Sequence, residues 1–289
     1  MQGKTILITG TASGMGRIAA KALAEQGAQL ILVDFDVANG ENGRDEIIRE
    51  TGNNKVEFIA CDVTSFSQVH KMADYVNERY PRLDVLINNA GITEAMRRES
   101  EDGFEMTMAT NFLGPFLITH LLLDKLKASA PARIINISSD AHKMVKTLDF
   151  DDIDNREGWE KVNHGKGFQA YARSKLSLAC FSYRLAEELE GAGVDVYCVS
   201  PGYFIRTNVY KHMRGIWKLG VTMLRPFFSS PFRAAKTHVY LASSPEVAGQ
   251  TGTYWEHCAL KESSAASYDR ELQQRICDYA AVATGLEGA

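Results

Sequence analysis

The chain has 289 residues, of which 45% are hydrophobic and 24% charged, and it carries a formal net charge of -4. These values are typical of a soluble globular protein and exclude a disordered or fibrous chain. The mildly acidic balance, with a pI near 6.0 and no long run of Lys and Arg, argues against nucleic acid as a partner.

Short apolar runs alternate along the chain with longer helical patterns. The runs are almost wholly apolar, which is typical of parallel strands covered on both faces, and they lie at 5–9, 30–34, 56–60, 84–88, 133–138 and 194–200. Helices long enough for crossover connections are predicted between them at 15–26, 37–50, 65–79, 101–127 and 169–190. This alternation predicts an α/β fold with a doubly wound parallel sheet, a Rossmann fold, in one domain over 1–289.

The pattern is less regular in the last third of the chain. The segment 203–230 carries many apolar side chains outside the predicted sheet, and we interpret it as a helical lid over an apolar substrate pocket. A face packed on a second subunit or on a membrane surface is the alternative. A helix is predicted at 231–242, a last strand at 252–257 and a polar helix at 267–282, the last of these within a C-terminal extension, 258–289.

Neither the cysteines nor the histidines are spaced as metal ligands. The five cysteines form no C-x-x-C pair, so we expect buried, reduced thiols, and the seven histidines include no i, i+4 pair. We interpret His142 and His164, which lie between Ser139 and Tyr171, as surface-loop residues, and contact with substrate is the alternative. The chain starts directly with an apolar strand pattern, and its longest apolar stretch, 216–228, contains charged residues and a proline. We therefore expect no export signal and no transmembrane segment, which favours a cytoplasmic location.

Three glycines, Gly10, Gly14 and Gly16, follow the first predicted strand and open the first helix, with Ser13 and Met15 between them. A turn without Cβ atoms at a helix N-terminus lets backbone N–H groups face the phosphates of a dinucleotide. The context of strand, turn and helix therefore predicts a dinucleotide site.

Asp34 ends the second predicted strand, about twenty residues beyond the glycines. Its carboxylate can accept hydrogen bonds from the adenosine ribose hydroxyls and would repel a 2′-phosphate. No Arg or Lys stands beside it or within the glycine turn, so NAD is favoured over NADP. The alternative is that Asp34 only caps the following helix, although Asp36 is the better placed cap.

Tyr171 and Lys175 lie four residues apart in a predicted helix, so their side chains project from one face. A phenol is a poor base at neutral pH unless a positive charge stabilises its phenolate. We interpret Tyr171 as the general acid and base of a hydride transfer, and Lys175 as the residue that lowers its pKa and holds the nicotinamide ribose. For these two residues alone, a solvated surface pair is the alternative.

The glycine spacing T-G-x-x-x-G-x-G resembles that of the short-chain dehydrogenase/reductase superfamily. Further motifs of that family follow in chain order over essentially the whole sequence, namely CDVT at 61–64, NNAG at 88–91, MATNFLGP at 108–115, IINISS at 134–139, YARSK at 171–175 and SPG at 200–202. The resemblance implies an oxidoreductase that works with NAD or NADP.

The resemblance also implies roles for individual residues. Besides the glycine turn, Tyr171 and Lys175, the implied cofactor contacts are Asp62, Val63, Asn89, Ala90, Gly91, Pro201, Gly202 and Thr207, the last of which stands one position later than relatives place it. Ser139 would hydrogen-bond the substrate oxygen while Tyr171 transfers the proton. Asn111 would hold a water in a proton relay behind Lys175, and a bond to local backbone is the alternative.

The long segment between NISS and YARSK and the ending at 252–267 are most similar to the retinol-dehydrogenase-like branch. That branch often has an Arg after the second strand, prefers NADP and is often membrane-anchored, whereas this chain has Asp34 and Phe35. We expect the acidic part of the segment, 148–167, to form a partly helical insertion beside the site. The predicted function is NAD-dependent interconversion of a hydrophobic secondary alcohol and its carbonyl compound, by a homodimer or homotetramer. The alternatives are an NADP-dependent carbonyl reductase and a non-catalytic nucleotide sensor or scaffold.

Overall fold

The computed structural model describes residues 1–156, 161–202 and 230–286. Strands β1 to β8 span, in chain order, Thr5–Thr9, Gln29–Asp34, Val56–Ala60, Val85–Asn88, Ala132–Ile137, Val194–Ser200, Thr253–Glu256 and Ala259–Lys261. Within the described ranges they form one sheet in the order β3-β2-β1-β4-β5-β6-β7-β8, parallel except for β8. The strand order reverses between β1 and β4, which creates a crevice at their carboxyl ends.

Helices connect these strands. Helices α1 to α9 span Gly14–Glu25, Val37–Thr51, Phe66–Arg79, Met106–Met108, Gly114–Leu121, Leu123–Ala128, His164–Glu188, Pro231–Ser243 and Arg270–Thr284. A π-helical turn, Ala109–Leu113, joins α4 to α5, and 3-10 turns lie at Asp140–Met144, Pro245–Val247 and Ala265–Tyr268. No helix in the described part of the chain is both long enough and apolar enough to span a bilayer.

The sheet separates two hydrophobic cores. In β1, Leu7 belongs to a cluster with residues of α3, α5 and α7, whereas Ile6 and Ile8 belong to a cluster with residues of α1, α2 and α8. Successive strand residues point to opposite faces, so each strand contributes to both cores and must be apolar on both sides. The predicted doubly wound α/β fold in a single domain is therefore confirmed.

The prediction of one continuous helix at 101–127 is wrong both about where the helix starts and about its being unbroken. It begins only at Met106, because the buried carboxylate of Glu105 accepts hydrogen bonds from the amides of Thr107 and Met108, at 2.8 and 2.9 Å. The π-helical turn follows at once, since Pro115 has no N–H to donate to the carbonyl of Asn111.

The helix predicted at 169–190 begins earlier, at His164, because the Asn163 side chain accepts a hydrogen bond from the amide of Lys166. His164 is therefore a helix residue, and its interpretation as a loop residue is wrong. Among its described residues, 148–156 and 161–167, the acidic insertion is helical only in this last part. Before it, Asp152 and Asn155 lie in turns that Arg173 of α7 holds by hydrogen bonds of 3.1 and 2.8 Å.

The C-terminal part differs from the prediction in detail. β7 confirms the predicted last strand, but the pattern missed β8, because its three residues are all exposed and show no apolar alternation. The last helix starts at Arg270, after a 3-10 turn, and ends at Thr284. All five thiols are free, but Cys258 and Cys277 are only partly buried, contrary to expectation.

The predicted lid, 203–230, lies outside the described residues except for Ser230, and Thr207 lies outside them as well.

We predict that Gly16→Ala destabilises the protein by about 1–3 kcal/mol, as expected for overpacking. A Cβ atom on Gly16 would lie 2.2 Å from the backbone oxygen of Gly10 and 2.6 Å from Nδ2 of Asn89. Gly165→Ala is the matched control, because the one atom of the described residues within 4 Å of its Cβ would be Asn163 Oδ1, at 3.4 Å. Urea unfolding of both variants measures the difference, and equal stabilities would contradict the prediction.

Candidate active site

The glycine turn is locked to the end of β4. The Thr9 hydroxyl accepts hydrogen bonds from the backbone amides of Asn89 and Ala90, both at 3.0 Å. In return, the Asn89 side-chain amide donates to the carbonyls of Thr9 and Gly10, at 2.8 and 3.1 Å. Gly10 has a φ of +73°, which favours glycine. The Asn89 side chain therefore holds the glycine turn in place, so the motif NNAG has a structural role here.

The turn fits a dinucleotide pyrophosphate. Gly14 has a φ of +62°, and no heavy atom of the described residues lies within 4 Å of the position that its Cβ would occupy. Ser13 is exposed and Met15 partly exposed beside this space. The first turn of α1 contains no acidic residue, so its N–H groups and the positive end of its dipole are available to phosphate oxygens.

Asp34 lies at the end of β2, where its carboxylate would face the ribose of a bound adenosine. Its two carboxylate oxygens accept hydrogen bonds from the amides of Ala12, at 2.8 Å, and Asp36, at 3.0 Å. Burial raises the pKa of Asp34, and these two amides act in the opposite direction. The side chain that caps α2 is Asp36, which accepts from the amide of Asn39 at 3.1 Å. The helix-cap explanation for Asp34 is therefore wrong.

A cation that the sequence analysis missed stands near this position. Arg17, the residue after Gly16, donates hydrogen bonds to the carbonyls of Thr11, at 3.5 Å, and Asn39. Thr11 precedes the Ala12 amide that Asp34 binds. Arg17 lies just outside the glycine turn and is not a sequence neighbour of Asp34, so neither pattern indicated it. One turn of helix brings its guanidinium back to Thr11 in the glycine turn.

The end of β3 completes the nucleotide side of the cleft. Asp62 accepts hydrogen bonds from the amide and the hydroxyl of Thr64, at 2.9 and 2.7 Å. The Val63 side chain is buried, and its carbonyl would lie 2.5 Å from a Cβ on Gly114. The predicted contacts Asp62 and Val63 thus stand at the carboxyl end of β3, beside the end of β2.

Gly91 separates two of the predicted catalytic residues. A Cβ on Gly91 would lie 3.3 Å from Asn111 Oδ1 and 3.3 Å from Lys175 Nζ. Asn111 is fully buried in the π-helical turn, where its amide accepts from the Ile92 amide at 2.9 Å and donates to the Ile92 carbonyl at 3.0 Å. Single π-helical turns occur frequently at functional sites. Asn111 is thus bonded to backbone, but to a segment nineteen residues away in sequence.

Ser174 is a site residue that the sequence analysis did not identify. Its hydroxyl donates to the Tyr171 carbonyl, at 2.8 Å, and accepts from Asn111 Nδ2, at 2.9 Å. It therefore ties the helix that carries Tyr171 to the π-helical turn. The signal was present in the sequence, since Ser174 lies within the YARSK motif itself.

Lys175 is buried together with its charge. Its Nζ donates to the carbonyl of Ile137 at 2.7 Å and lies 5.7 Å from the centre of the Tyr171 ring. Loss of solvation lowers the pKa of Lys175 to about 8. Burial raises the pKa of Tyr171, and a hydrogen bond with the Ser139 side chain lowers it. The predicted effect of Lys175 on the Tyr171 phenol stays a prediction.

The two serines after β5 have different partners. Ser138 is buried and donates to the carbonyl of Lys175 at 2.8 Å, so it anchors α7. Ser139 is partly exposed and meets the Tyr171 phenol. The two hydroxyls therefore serve opposite sides of the chain, as the alternation of side chains predicts. Ser139, not Ser138, is available to a substrate oxygen.

The end of β6 forms the remaining wall. Pro201 is buried, and Gly202 has a φ of +93° and donates its amide to the Ser200 hydroxyl at 3.2 Å. His142, expected on the surface, is instead fully buried behind Ser139, and that prediction is wrong. Across the described ranges, no group of three or more His, Cys, Asp or Glu side chains could hold a metal ion.

We predict that the stability of the wild type relative to Lys175→Met rises between about pH 8 and pH 10.5. The folded state disfavours the charged lysine, so burial of the ammonium costs free energy below pH 8, and this cost disappears once the unfolded lysine also loses its proton near 10.5. The difference corresponds to about 3 kcal/mol at 1.36 kcal/mol per pH unit. Urea unfolding of both proteins from pH 7 to 10 measures it, and a difference that does not change with pH would contradict the prediction.

The comparison with protein families agrees with this geometry. A family model described as short chain dehydrogenase matches residues 4–148, which is half of the chain. The chain is 37% identical to retinol dehydrogenase 14 of Homo sapiens, over 99% of this chain and 88% of that protein. It is 38% identical to retinol dehydrogenase 13 of the same species, over 99% of this chain and 86% of that protein.

Solved structures show the same fold. The crystal structure of an uncharacterized protein from Mycobacterium Paratuberculosis superposes with a TM-score of 0.77 at 26% identity, covering 98% of this chain and 94% of that one. The family binds NAD(P)(H), which fits the glycine turn and the crevice described above. The chain therefore belongs to the short-chain dehydrogenase/reductase superfamily, in its retinol-dehydrogenase-like branch, and is an oxidoreductase acting on CH–OH groups.

Proposed function

We propose that this protein is an NAD-dependent dehydrogenase that interconverts a hydrophobic alcohol and its carbonyl compound. The observation that carries the proposal is the convergence of Tyr171, Ser139 and Lys175 at the carboxyl ends of the central strands. Asn111 stands behind them, across Gly91. This arrangement provides a proton donor and acceptor, a hydrogen-bond donor for the substrate oxygen and a cation beside the dinucleotide crevice.

Each residue has one task in this chemistry. The bound nicotinamide would supply hydride transfer to or from the substrate carbon. During alcohol oxidation, the Tyr171 phenolate takes the hydroxyl proton and becomes the phenol, and during carbonyl reduction the phenol donates a proton to the carbonyl oxygen. Ser139 donates a hydrogen bond to the same substrate oxygen. Lys175 and Asn111 lie behind Tyr171. A water held between such polar groups would pass the proton on from the active site to solvent.

Asp34 supports NAD as the cofactor. A ribose hydroxyl can donate to the carboxylate as well, since its two oxygens offer about four acceptor sites and the backbone amides of Ala12, Asp36 and Phe35 do not use them all. A 2′-phosphate at this place would meet a negative charge that amides hold in position. Phe35, which follows, is 70% exposed and offers no charge to such a phosphate.

Exposed apolar side chains on the segments that carry Tyr171 and Ser139, and on the segment that contacts the start of α7, support a hydrophobic substrate. The Phe168 ring centre lies 6.3 Å from that of Tyr171, and 44% of the residue is exposed. Met144, at the end of the turn that begins after Ser139, is 71% exposed, and Met96, beside the α7 N-terminus, is 44% exposed. The similar proteins are named retinol dehydrogenases, so a retinoid is one candidate for this apolar alcohol.

Arg17 favours a second candidate function, an NADP-dependent carbonyl reductase. Its guanidinium bonds to the carbonyls of Thr11 and Asn39 and to the carboxylate of Glu46, the last at 3.5 Å, and it could pair with a 2′-phosphate that displaced these partners. Cofactor preference distinguishes the two functions. The predicted cytoplasmic location, oligomeric state and lid stay predictions of the sequence.

We predict that NADH binds at least about tenfold more tightly than NADPH, or about 1.4 kcal/mol. Asp34→Asn should reduce this preference several-fold, because it removes the charge but keeps the shape. Asp36→Asn is the control, since it removes the same charge two residues away. Fluorescence titration with each cofactor measures the preference. Equal binding of NADPH by the wild type would favour the Arg17 alternative.

We predict that Tyr171→Phe lowers kcat for an apolar alcohol such as all-trans-retinol by about 10²–10⁴-fold, the usual contribution of a general acid or base. The Kd for NADH should change by less than about threefold, because the substituted hydroxyl faces the substrate. Tyr75→Phe, which removes a hydroxyl bonded to Glu57, should leave kcat unchanged. Full activity of Tyr171→Phe would refute the assigned role. Cofactor binding without turnover of any alcohol or ketone by the wild type would favour a nucleotide sensor.

A further inference from the structure

A buried imidazole holds the backbone of the serine that faces the substrate. His142 Nδ1 lies 2.5 Å from the Ser139 carbonyl oxygen, and none of His142 is exposed to solvent. On the other side of the ring, Nε2 lies 2.8 Å from the hydroxyl of Ser263 and 3.3 Å from the backbone nitrogen of Ser264. The ring therefore bridges the turn after β5 and the C-terminal extension, across more than 120 residues of sequence.

These partners determine the tautomer of His142. A carbonyl oxygen can only accept a hydrogen bond, so Nδ1 must carry the proton that it donates to Ser139. A backbone N–H can only donate, so Nε2 must accept from Ser264, with the Ser263 hydroxyl as a second donor. Both requirements are met by the neutral ring, and burial lowers the pKa of His142 in agreement with them.

Ser139 depends on such support because it lies beyond the sheet. The pairing of β5 with β6 ends at Ile137, and Ser139 has extended backbone angles of -164° and 150°. Its hydroxyl accepts from the amide of Ala141 at 3.2 Å, and its carbonyl accepts from the backbone amide of His142 at 3.1 Å. The 3-10 turn and the His142 ring therefore both hold the backbone from which this hydroxyl projects.

The neighbouring Asp140 anchors the same turn to the sheet. Its carboxylate accepts from Lys143 at 2.7 Å, from the Ser200 hydroxyl at 2.9 Å and from the Tyr254 hydroxyl at 3.3 Å. Asp140 is buried, so these bonds also compensate for the loss of water around its charge. Its anchor lies on β6 and β7, whereas that of His142 lies on the C-terminal extension.

The C-terminal partner of His142 is itself fixed. The Ser264 side chain caps the 3-10 turn Ala265–Tyr268 by accepting from the amide of Ser267 at 3.3 Å, and the amide of Ser263 donates to the Tyr268 hydroxyl at 3.1 Å. This turn leads into α9, whose Ile276 belongs to the same hydrophobic cluster as residues of α7. The donors to Nε2 are thus attached to the core and not to a loose tail.

We propose that His142 is a positioning residue for Ser139, and that the segment 263–268 of the C-terminal extension sets the tautomer and orientation of its ring. The Nδ1–H bond holds the Ser139 carbonyl, and through it the direction in which the Ser139 hydroxyl meets Tyr171 and the substrate oxygen. This inference rests on the proposed function, because Ser139 acts there on the substrate oxygen. A misplacement of about 1 Å at such a group costs about 10²-fold in rate.

The test compares His142→Phe with His142→Asn in steady-state oxidation of an apolar alcohol. His142→Phe keeps a flat ring but has no donor, and kcat should fall by about 10- to 100-fold while KM and the Kd for NADH change by less than about threefold. The side-chain amide of Asn places an N–H near the position of Nδ1. His142→Asn should therefore recover kcat to within about fivefold of the wild type.

His120→Phe is the matched control. His120 is also largely buried, and its Nδ1 lies 2.8 Å from the Phe116 carbonyl on α5, so the variant removes a similar bond that does not involve Ser139. Its kcat should stay within about twofold of the wild type. The positioning role is wrong if His142→Phe keeps its kcat, or if His142→Asn is as impaired as His142→Phe while both bind NADH normally.

Two further measurements cover other outcomes. If His142→Phe does not fold, Ser263→Ala removes one donor to Nε2, and we expect kcat to fall about two- to fivefold at constant KM. An unchanged kcat would then contradict the role of the C-terminal segment.

Hydrogen exchange is a second measurement, and it needs no turnover. The amides of Ala141 and His142 should exchange at least about tenfold faster in His142→Phe than in His120→Phe, even if the wild type oxidises no alcohol and the proposed function fails. Equal exchange would overturn the proposal.

Discussion

The arrangement of the site depends on a buried pair of amides, Asn88 on β4 and Asn136 on β5. The two residues are paired in the sheet register, and Asn88 Nδ2 donates to Asn136 Oδ1 at 2.8 Å. Asn136 Nδ2 donates in turn to the Ser182 hydroxyl on α7, at 3.0 Å. A buried amide N–H without an acceptor costs free energy, and a slip of either strand, or a shift of α7, would take away the acceptors of these two Nδ2 groups. The chain of three side chains therefore fixes two strands and one helix relative to one another.

The catalytic geometry follows from that register. Gly91 lies three residues after Asn88, Ser139 lies three residues after Asn136, and Lys175 lies about two helical turns before Ser182. These offsets bring the ends of β4 and β5 and one face of α7 to the same crevice. The bonds from Lys175 to Ile137 and from Ser138 to the Lys175 carbonyl then attach the helix at the point of reaction. A buried ammonium is tolerated here because the backbone carbonyl of Ile137 accepts a hydrogen bond from it.

A second layer of polar contacts comes from the C-terminal extension. His142 connects the Ser139 turn to Ser263, and Tyr279 of α9 donates to Asp154 of the acidic insertion at 2.9 Å. The extension thus supports the 3-10 turn after Ser139 and the acidic insertion that follows this turn. Arg173, within the YARSK motif, holds the insertion from the other side through Asn155. The insertion is therefore part of the framework around the site, and its acidic side chains are used for packing as well as for solvation.

The sequence by itself predicted seven of the eight strands that the described residues form, the glycine turn, the position of Asp34 at the end of β2 and the pairing of Tyr171 with Lys175 on one helix face. These follow from local pattern, because apolar runs, glycine spacing and a helical i, i+4 pair are written in neighbouring residues. The choice of Asn111 and Ser139 came instead from the resemblance of their motifs to those of the superfamily. Only the tertiary structure decided what requires contacts between distant segments. It bonded Arg17 to the carbonyl of Thr11 in the glycine turn, joined Ser174 to Asn111, lowered the pKa of Lys175 by burial and turned the apparent loop residue His142 into a buried bridge. The physical reason is that burial and hydrogen-bond partners depend on which segments meet in space, and no periodicity in the chain records that His142 meets Ser263.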